Sequence, residues 1–227
     1  MLYEENVRAA MSRIEAACSR SGRSTEDVAV VGVSKYVGVP EARQLLASGI
    51  THLGENRWQN AREKWEAIGA NAVWHFIGHL QTNKVKDVVG RFDYIHSLDR
   101  VSLLNEIHKC AAQRELTVNA FVQVNVSGEE TKYGLEPEQL LPFVELATAC
   151  RPHVRIVGLM TMAPYDENPE AARPVFRQLR QLRDELNRRA VLPEPVNHLS
   201  MGMSGDFETA IEEGATWLRL GSVLLSE

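Results

Sequence analysis

Eight short apolar runs alternate with amphipathic stretches along this chain of 227 residues, and the strictness of that alternation constrains the fold most. The runs fall at 28–33, 52–54, 73–77, 94–96, 118–126, 156–160, 196–199 and 217–220. Between them, apolar residues recur at three- and four-residue steps, the spacing of one helix face. Trp58, Ala61, Trp65 and Ile68 mark one such face. Ala172, Val175, Phe176, Leu179, Leu182 and Leu186 mark the longest, over 169–189. Further helices are expected over 40–47, 83–89, 139–149 and 207–212, and Asp99 is placed to cap one that runs to 111. Another helix precedes the first strand, with Val7, Met11, Ile14 and Cys18 turned inward. Strands separated by helices argue for a parallel sheet. Eight such units in about 250 residues or fewer suffice to close a barrel. The expected fold is α/β: a single (β/α)8 TIM-type barrel with an extra N-terminal helix, one domain over 1–227. An open doubly wound sheet is the alternative.

Composition removes several functional classes. Lys and Arg number 25 against 30 Asp and Glu, and no basic stripe marks a nucleic-acid partner. The Arg-rich segment 173–189 also carries Asp184 and Glu185 and reads as a solvated helix face. Cys18, Cys110 and Cys150 are odd in number and widely spaced, which excludes a disulfide framework and the usual zinc site. Each sits at an apolar helix position, as a small buried hydrophobe. No stretch approaches the ~20 apolar residues of a membrane span. The first residues, with Glu4 and Glu5, do not form a signal peptide. The reading is a cytoplasmic protein with no metal.

In a barrel, functional groups gather where strands end. Those positions hold Lys35, Glu55 and Asn56, His79, Asn125, Thr161, Ser200, Arg219 and Ser222. Lys35 follows the apolar strand directly. Either it is partly desolvated in the mouth, which frees its amine to attack a carbonyl, or its head simply reaches water. The segment 200–206, SMGMSGD, leads into a helix, and Gly221–Ser222 forms a second small turn. Such turns after strands seven and eight often hold phosphate; alone, they also read as pliable loops. An amine and a phosphate cradle in one mouth suggest a phosphorylated aldehyde. Arg219 points to the same mouth. It either meets a pyridine nitrogen, keeping it unprotonated and a weak electron sink, or pairs with Glu212 or Glu213.

Several segments resemble one known family. WHFIGHLQTNK at 74–84 is the most specific; VSK at 33–35, GEN at 54–56, GLMTM at 158–162, LSMGMSGD at 199–206 and RLGS at 219–222 accompany it. Together they resemble the pyridoxal phosphate homeostasis proteins over about residues 5–222. The resemblance implies a fold like the N-terminal barrel of alanine racemase. It implies pyridoxal 5'-phosphate held as a Schiff base on Lys35. Ser200, Gly221 and Ser222 would contact the phosphate within the 199–206 and 219–222 segments, which add Met201 and Gly202 to the site. Arg219 would face the ring nitrogen, and Asn56 and His79 the ring face. No catalytic residue is implied, because no proven turnover belongs to the family; its role is vitamin B6 balance, with apo pyridoxal-phosphate enzymes as possible acceptors. Lys132 matches a lysine that the family is thought to use in binding or relaying the cofactor; as a residue it reads rather as a solvated loop lysine. After Ser222 the family continues with an apolar pair and Phe-Gly, whereas this chain reads VLLSE, which leaves the packing behind the phosphate turn open.

The expected function is therefore a monomeric carrier or regulator of the cofactor. The alternative is a pyridoxal-phosphate-dependent amino-acid racemase. That reaction needs a second acid/base, which here would have to be Tyr36, Tyr133, Tyr165 or a histidine.

Overall fold

The computed structural model describes residues 2–129 and 131–226. Helix α1 (Leu2–Arg20) leads into β1 (Ala29–Val33), α2 (Val39–Ala47), β2 (His52–Glu55) and α3 (Trp58–Ile68). Next come β3 (Val73–Phe76), α4 (Val85–Val88), β4 (Tyr94–Leu98), α5 (Val101–Ala112) and β5 (Val118–Gln123). The chain finishes with α6 (Leu140–Ala147), β6 (Val154–Met160), α7 (Arg173–Arg188), β7 (His198–Ser200), α8 (Phe207–Glu212), β8 (Trp217–Leu220) and α9 (Ser222–Leu225). The strands close a barrel in chain order, and each neighbouring pair is parallel, β1 with β8 included. The closed barrel, not the open sheet, is the fold.

Strand side chains alternate between two cores. Inside the barrel, Val31, Phe121, Met160 and Trp217 pack together. Outside, a larger cluster joins the strands to the helices, including Leu53, Ile95, Leu104, Phe176, Leu179 and Leu199. The three cysteines are buried there with free thiols. On α1, Val7, Ala10, Ile14 and Cys18 face inward; Met11, expected with them, is exposed. Leu224 of α9 is buried, and Asn6 Nδ2 donates to the carbonyls of Leu224 and Ser226, so α1 and α9 pack behind the 221–222 turn. Among the described residues no helix is long and apolar enough to cross a membrane, and no group of three or more His, Cys, Asp or Glu could hold a metal.

Three local expectations are corrected. Asp99 does not cap α5; Arg100 holds the cap position, and Asp99 Oδ1 accepts from Arg100 Nη1 at 2.5 Å instead. The fifth strand ends at Gln123 rather than 126, because the chain there pairs with its own return: Leu135 N–H donates to Gln123 O, and Asn125 N–H to Leu135 O, both at 2.9 Å. The arginines of α7 are not merely solvated. Arg173, Arg177 and Arg180 converge on the buried carboxylate of Glu213, at 3.3, 2.8 and 3.2 Å. Glu212 joins Arg173 to Arg20, and Glu208 joins Arg13 to Arg20, so α8 is tied to both α1 and α7.

This cluster makes an acid-sensitive seam. Hydrogen bonds from Arg173 and Arg20 hold the Glu212 carboxyl below its usual value. For Glu213 and Glu208, burial pushes upward, but the arginines outweigh it and the result is lower. Unfolded Glu titrates near ~4.3. With the folded values depressed, the stabilisation is complete above the unfolded value and is lost as pH falls through the folded ones. Urea midpoints should hold level from neutral pH to about 5 and fall progressively below about 4. Glu213→Gln should make that decline shallower; an equally steep decline would exclude the cluster as its source.

Candidate functional site

The rim at the C-terminal ends of the strands brings the expected polar residues to one face of the barrel. Ser34 and Lys35 follow β1. The Ser34 hydroxyl donates to Glu55 Oε1 at 2.6 Å, and both residues are fully buried. Lys64, from the middle of α3, is also buried, with Nζ 2.6 Å from the same carboxylate oxygen. It donates further to Ser34 O at 2.6 Å and Val37 O at 2.9 Å. Those carbonyls flank Lys35, so Lys64 uses its three N–H donors to clamp the turn that presents it. Lys35 itself is half-buried, with Nζ 4.8 Å from the ring centre of the exposed Tyr36. Its amine stands at the mouth rather than sealed beneath it.

Next around the rim, Asn56 follows β2 and its buried Oδ1 has no hydrogen-bond donor. Gly78 packs directly on this residue: a Cβ at 78 would stand 2.3 Å from Asn56 O, so only glycine fits. His79 stacks on Tyr133 with ring centres 3.9 Å apart and lies 3.8 Å from Asp99 Oδ2. Burial lowers the His79 pKa, against the pull of Asp99. Asn56, Gly78, His79 and Tyr133 share a cleft of about 450 Å³ that also takes in Gln81 and Lys84 of the 74–84 segment. Lys35, Ser200 and Arg219 lie outside that cleft. Lys132 pairs with Glu129 at 2.6 Å, so it is not a free loop lysine; Glu130 lies outside the described residues.

On the other side of β1, small residues and backbone amides gather after β7 and β8. Gly221 and Val223 N–H groups both donate to Ser204 Oγ at 3.2 Å, so two amides converge on one oxygen. Gly221 follows β8, which pairs with β1, and its Cβ position is 3.6 Å from Val33 Cβ at the end of that strand. Ser222 is exposed. Ser200 is fully buried at the end of β7. Met201 is buried too, and its N–H is taken by Trp217 O at 3.2 Å, so it supplies wall rather than a free donor. Gly202 has φ +94°, and a Cβ there would stand 2.6 Å from Ala210 Cβ, which fixes glycine at the bend.

Arg219 is buried and pairs with neither Glu212 nor Glu213. Its Nη1 donates to Ser200 Oγ at 2.6 Å and its Nη2 to Thr161 O at 2.9 Å. Burial pushes its pKa down to about 10, with Asp206 opposing, so it stays charged at neutral pH. Two of its five N–H donors are thereby engaged, which leaves others for a ligand.

Lys64 could have been found in the sequence. It lies three residues after Ala61 and four before Ile68, on the buried face of α3. No local pattern marks the chain of three histidines inside the barrel.

The geometry defines a class: a (β/α)8 barrel with an amine, two convergent backbone amides and a buried guanidinium at one rim. Residues 5–226 match the family model described as alanine racemase, N-terminal domain. The pyridoxal phosphate homeostasis protein of Aquifex aeolicus is 48% identical over 224 residues, covering 98% of this chain and 97% of that one. The structure of PipY from Synechococcus elongatus with pyridoxal phosphate bound superposes with a TM-score of 0.80 at 31% identity, covering 93% of this chain and 99% of that one. Alanine racemase of Clostridium difficile shares the fold, with a TM-score of 0.75 at 15% identity; the match covers 97% of this chain and 56% of the racemase. The chain belongs to the pyridoxal phosphate homeostasis protein family.

Proposed function

We propose that this chain binds pyridoxal 5'-phosphate at the rim, joined to Lys35, and takes part in intracellular vitamin B6 balance as a monomeric carrier without catalytic turnover. The observation that carries the reading is the placement of two amides, at Gly221 and Val223, that converge on one oxygen just after β8, the strand paired with β1, which Lys35 follows. The donors suit the cofactor. The amides and Ser200 match a phosphate, Arg219 a neutral ring nitrogen, and the orphaned Asn56 Oδ1 a ligand hydroxyl. When bound, the cofactor supplies an aldehyde that condenses with a primary amine, with loss of water.

The residues at the mouth favour storage over turnover. A racemase needs a second acid/base held at hydrogen-bond distance. Tyr36, Tyr133 and Tyr165 are 89%, 56% and 94% exposed, so none is fixed in a closed site. A positive charge at the ring nitrogen withholds the proton that carbanion chemistry uses. An open mouth permits release to apo enzymes that need the cofactor. The curated relatives are likewise named for homeostasis and not for a reaction.

The test is the visible absorption of the protein with pyridoxal phosphate added, beside Lys35→Ala. The parent should show the band of a lysine adduct, which borohydride fixes on Lys35; the mutant should show none. Absence of the band in the parent would sink the reading. Deuterium exchange at an amino-acid α-carbon at enzyme-like rates would overturn the carrier role alone.

A further inference from the structure

Three histidines cross the inside of the barrel in a line. His52, the first residue of β2, is half-buried at the floor. Its Nδ1 lies 3.0 Å from His75 Nε2. His75 Nδ1 lies 2.9 Å from His96 Nε2, and His96 Nδ1 lies 2.8 Å from Ser200 Oγ at the rim. His75 and His96 are fully buried. Burial holds all three imidazoles below their usual pKa; Arg219 and His75 add to the effect on His96, and His52 adds to that on His75. They are therefore neutral at pH 7. Asp93 is the charged group that acts on His52, and Tyr94 stacks on His75 at 4.8 Å.

Neutrality makes the chain directional. A neutral imidazole has one N–H donor and one acceptor nitrogen. Arg219 can only donate, so Ser200 Oγ accepts from Nη1. The Ser200 proton then goes to His96 Nδ1, its other partner among the described residues. His96 must carry its proton on Nε2 and donate it to His75 Nδ1. His75 in turn donates from Nε2 to His52 Nδ1. One hydroxyl at the rim thus sets three tautomers.

We infer that His52, His75 and His96 form a proton relay that transmits occupation of the rim by a phosphate monoester to the floor of the barrel. The inference rests on the phosphate contact at Ser200 in the function proposed above. When a phosphate oxygen accepts the Ser200 hydroxyl, His96 Nδ1 loses its donor and faces an oxygen lone pair. The arrangement is satisfied again only if Nδ1 carries a proton and donates to Ser200 Oγ. A monoprotonated phosphate gives its proton to Ser200 Oγ, whose own proton passes to His96 Nδ1. His96 passes its Nε2 proton to His75 Nδ1, and His75 its Nε2 proton to His52 Nδ1. His52 releases its Nε2 proton to solvent at the floor. The protein's proton count is unchanged, the ligand is held as a dianion, and His52 Nε2 turns from donor to acceptor. The signal crosses the barrel without a change of shape.

Nitrogen-15 spectra of the full chain with labelled histidine read this directly, because the protonated and bare ring nitrogens resonate far apart. The ligand-free protein should show His52, His75 and His96 as Nε2–H tautomers. Added pyridoxal phosphate should convert all three to Nδ1–H, whereas pyridoxal, which lacks the phosphate, should not. In His75→Phe the Nε2 proton of His96 has no imidazole to receive it, so His52 should stay unmoved. Should that variant fail to fold, the wild-type comparison stands by itself. A Lys35 band with unmoved tautomers would overturn the relay and leave the cofactor site intact. A ligand-free spectrum with any of the three as Nδ1–H or imidazolium would overturn it, as would a His52 that still responds in His75→Phe. Failure of the band itself would remove the cofactor reading, and the relay with it.

Discussion

Replacing Lys64 with alanine is expected to lower the unfolding free energy by about 3–5 kcal/mol, the usual result of removing one partner from a buried ion pair. The carboxylate of Glu55 has no exposure to water, and its Oε1 depends on Lys64 and Ser34 alone. Its Oε2 already lacks a partner, so without Lys64 an unpaired charge would remain in the core. The Ser34 and Val37 carbonyls would lose their donor in the same step. Lys64→Met keeps most of the apolar stem and isolates the charge; it should lose nearly as much. Lys64→Met with Glu55→Leu should recover most of the loss, because replacing both members of a buried pair by apolar groups is often neutral. Urea unfolding of the parent, Lys64→Met, Glu55→Leu and the double variant closes the cycle. A single mutant within about 1 kcal/mol of the parent would mean that water reaches Glu55 and that the clamp is not buried in solution. The folded Lys64→Met protein should also form its Lys35 adduct more slowly, since the turn presenting the amine is no longer held on both sides.

The barrel was legible because its signal is repeated. Eight apolar runs, separated by helical stretches, leave little choice once the crossovers must be parallel. Single boundaries were less legible, and the reasons are local. Asp99 has the residue type of a cap, but a neighbouring Arg100 captured its carboxylate. Val124 and Val126 continue the apolar alternation of β5, yet the backbone there pairs with Leu135, a partner that lies in a later loop. Met11 has helical spacing but falls at the margin of the α1 face.

The site divides in the same way. Residues at strand ends could be listed, because barrel geometry sends them to one rim whatever their partners. Their partners could not. That Arg219 takes Ser200 and Thr161 rather than Glu212 or Glu213 depends on which way one strand residue points inside a closed barrel. Glu213 is instead held by three arginines from α7, a helix whose charge pattern alone reads as a solvated face. The histidine line was hidden for another reason. His52, His75 and His96 belong to three different strands, so no local pattern joins them. The available hint was that His75 and His96 occupy buried positions in otherwise apolar strands, where a polar side chain needs a partner.

Arg219 supplies the second large effect, and it should appear in binding rather than in folding. Burial has pushed its pKa down to about 10, below the usual guanidinium value. A base with a lowered folded value opposes folding below that value, and the penalty fades only as pH rises toward the unfolded one. At neutral pH the penalty is about 3 kcal/mol, at 1.36 kcal/mol per unit. Against it stand the hydrogen bonds to Ser200 Oγ and Thr161 O, each worth about 1.5–3 kcal/mol when one partner is charged. The two sides nearly cancel. Arg219→Leu should therefore change the unfolding free energy by only about 1–2 kcal/mol, as when buried ionic groups give way to apolar ones. The ligand has no such compensation. Loss of one charge-assisted hydrogen bond to the cofactor ring should weaken pyridoxal phosphate binding roughly 10- to 100-fold. Titration of the Lys35 band and urea unfolding of the same samples measure both quantities. A variant that binds as tightly as the parent but unfolds far more easily would reassign Arg219 to the fold. The expected split, near-normal stability with weak binding, is what a guanidinium retained for the ligand should give.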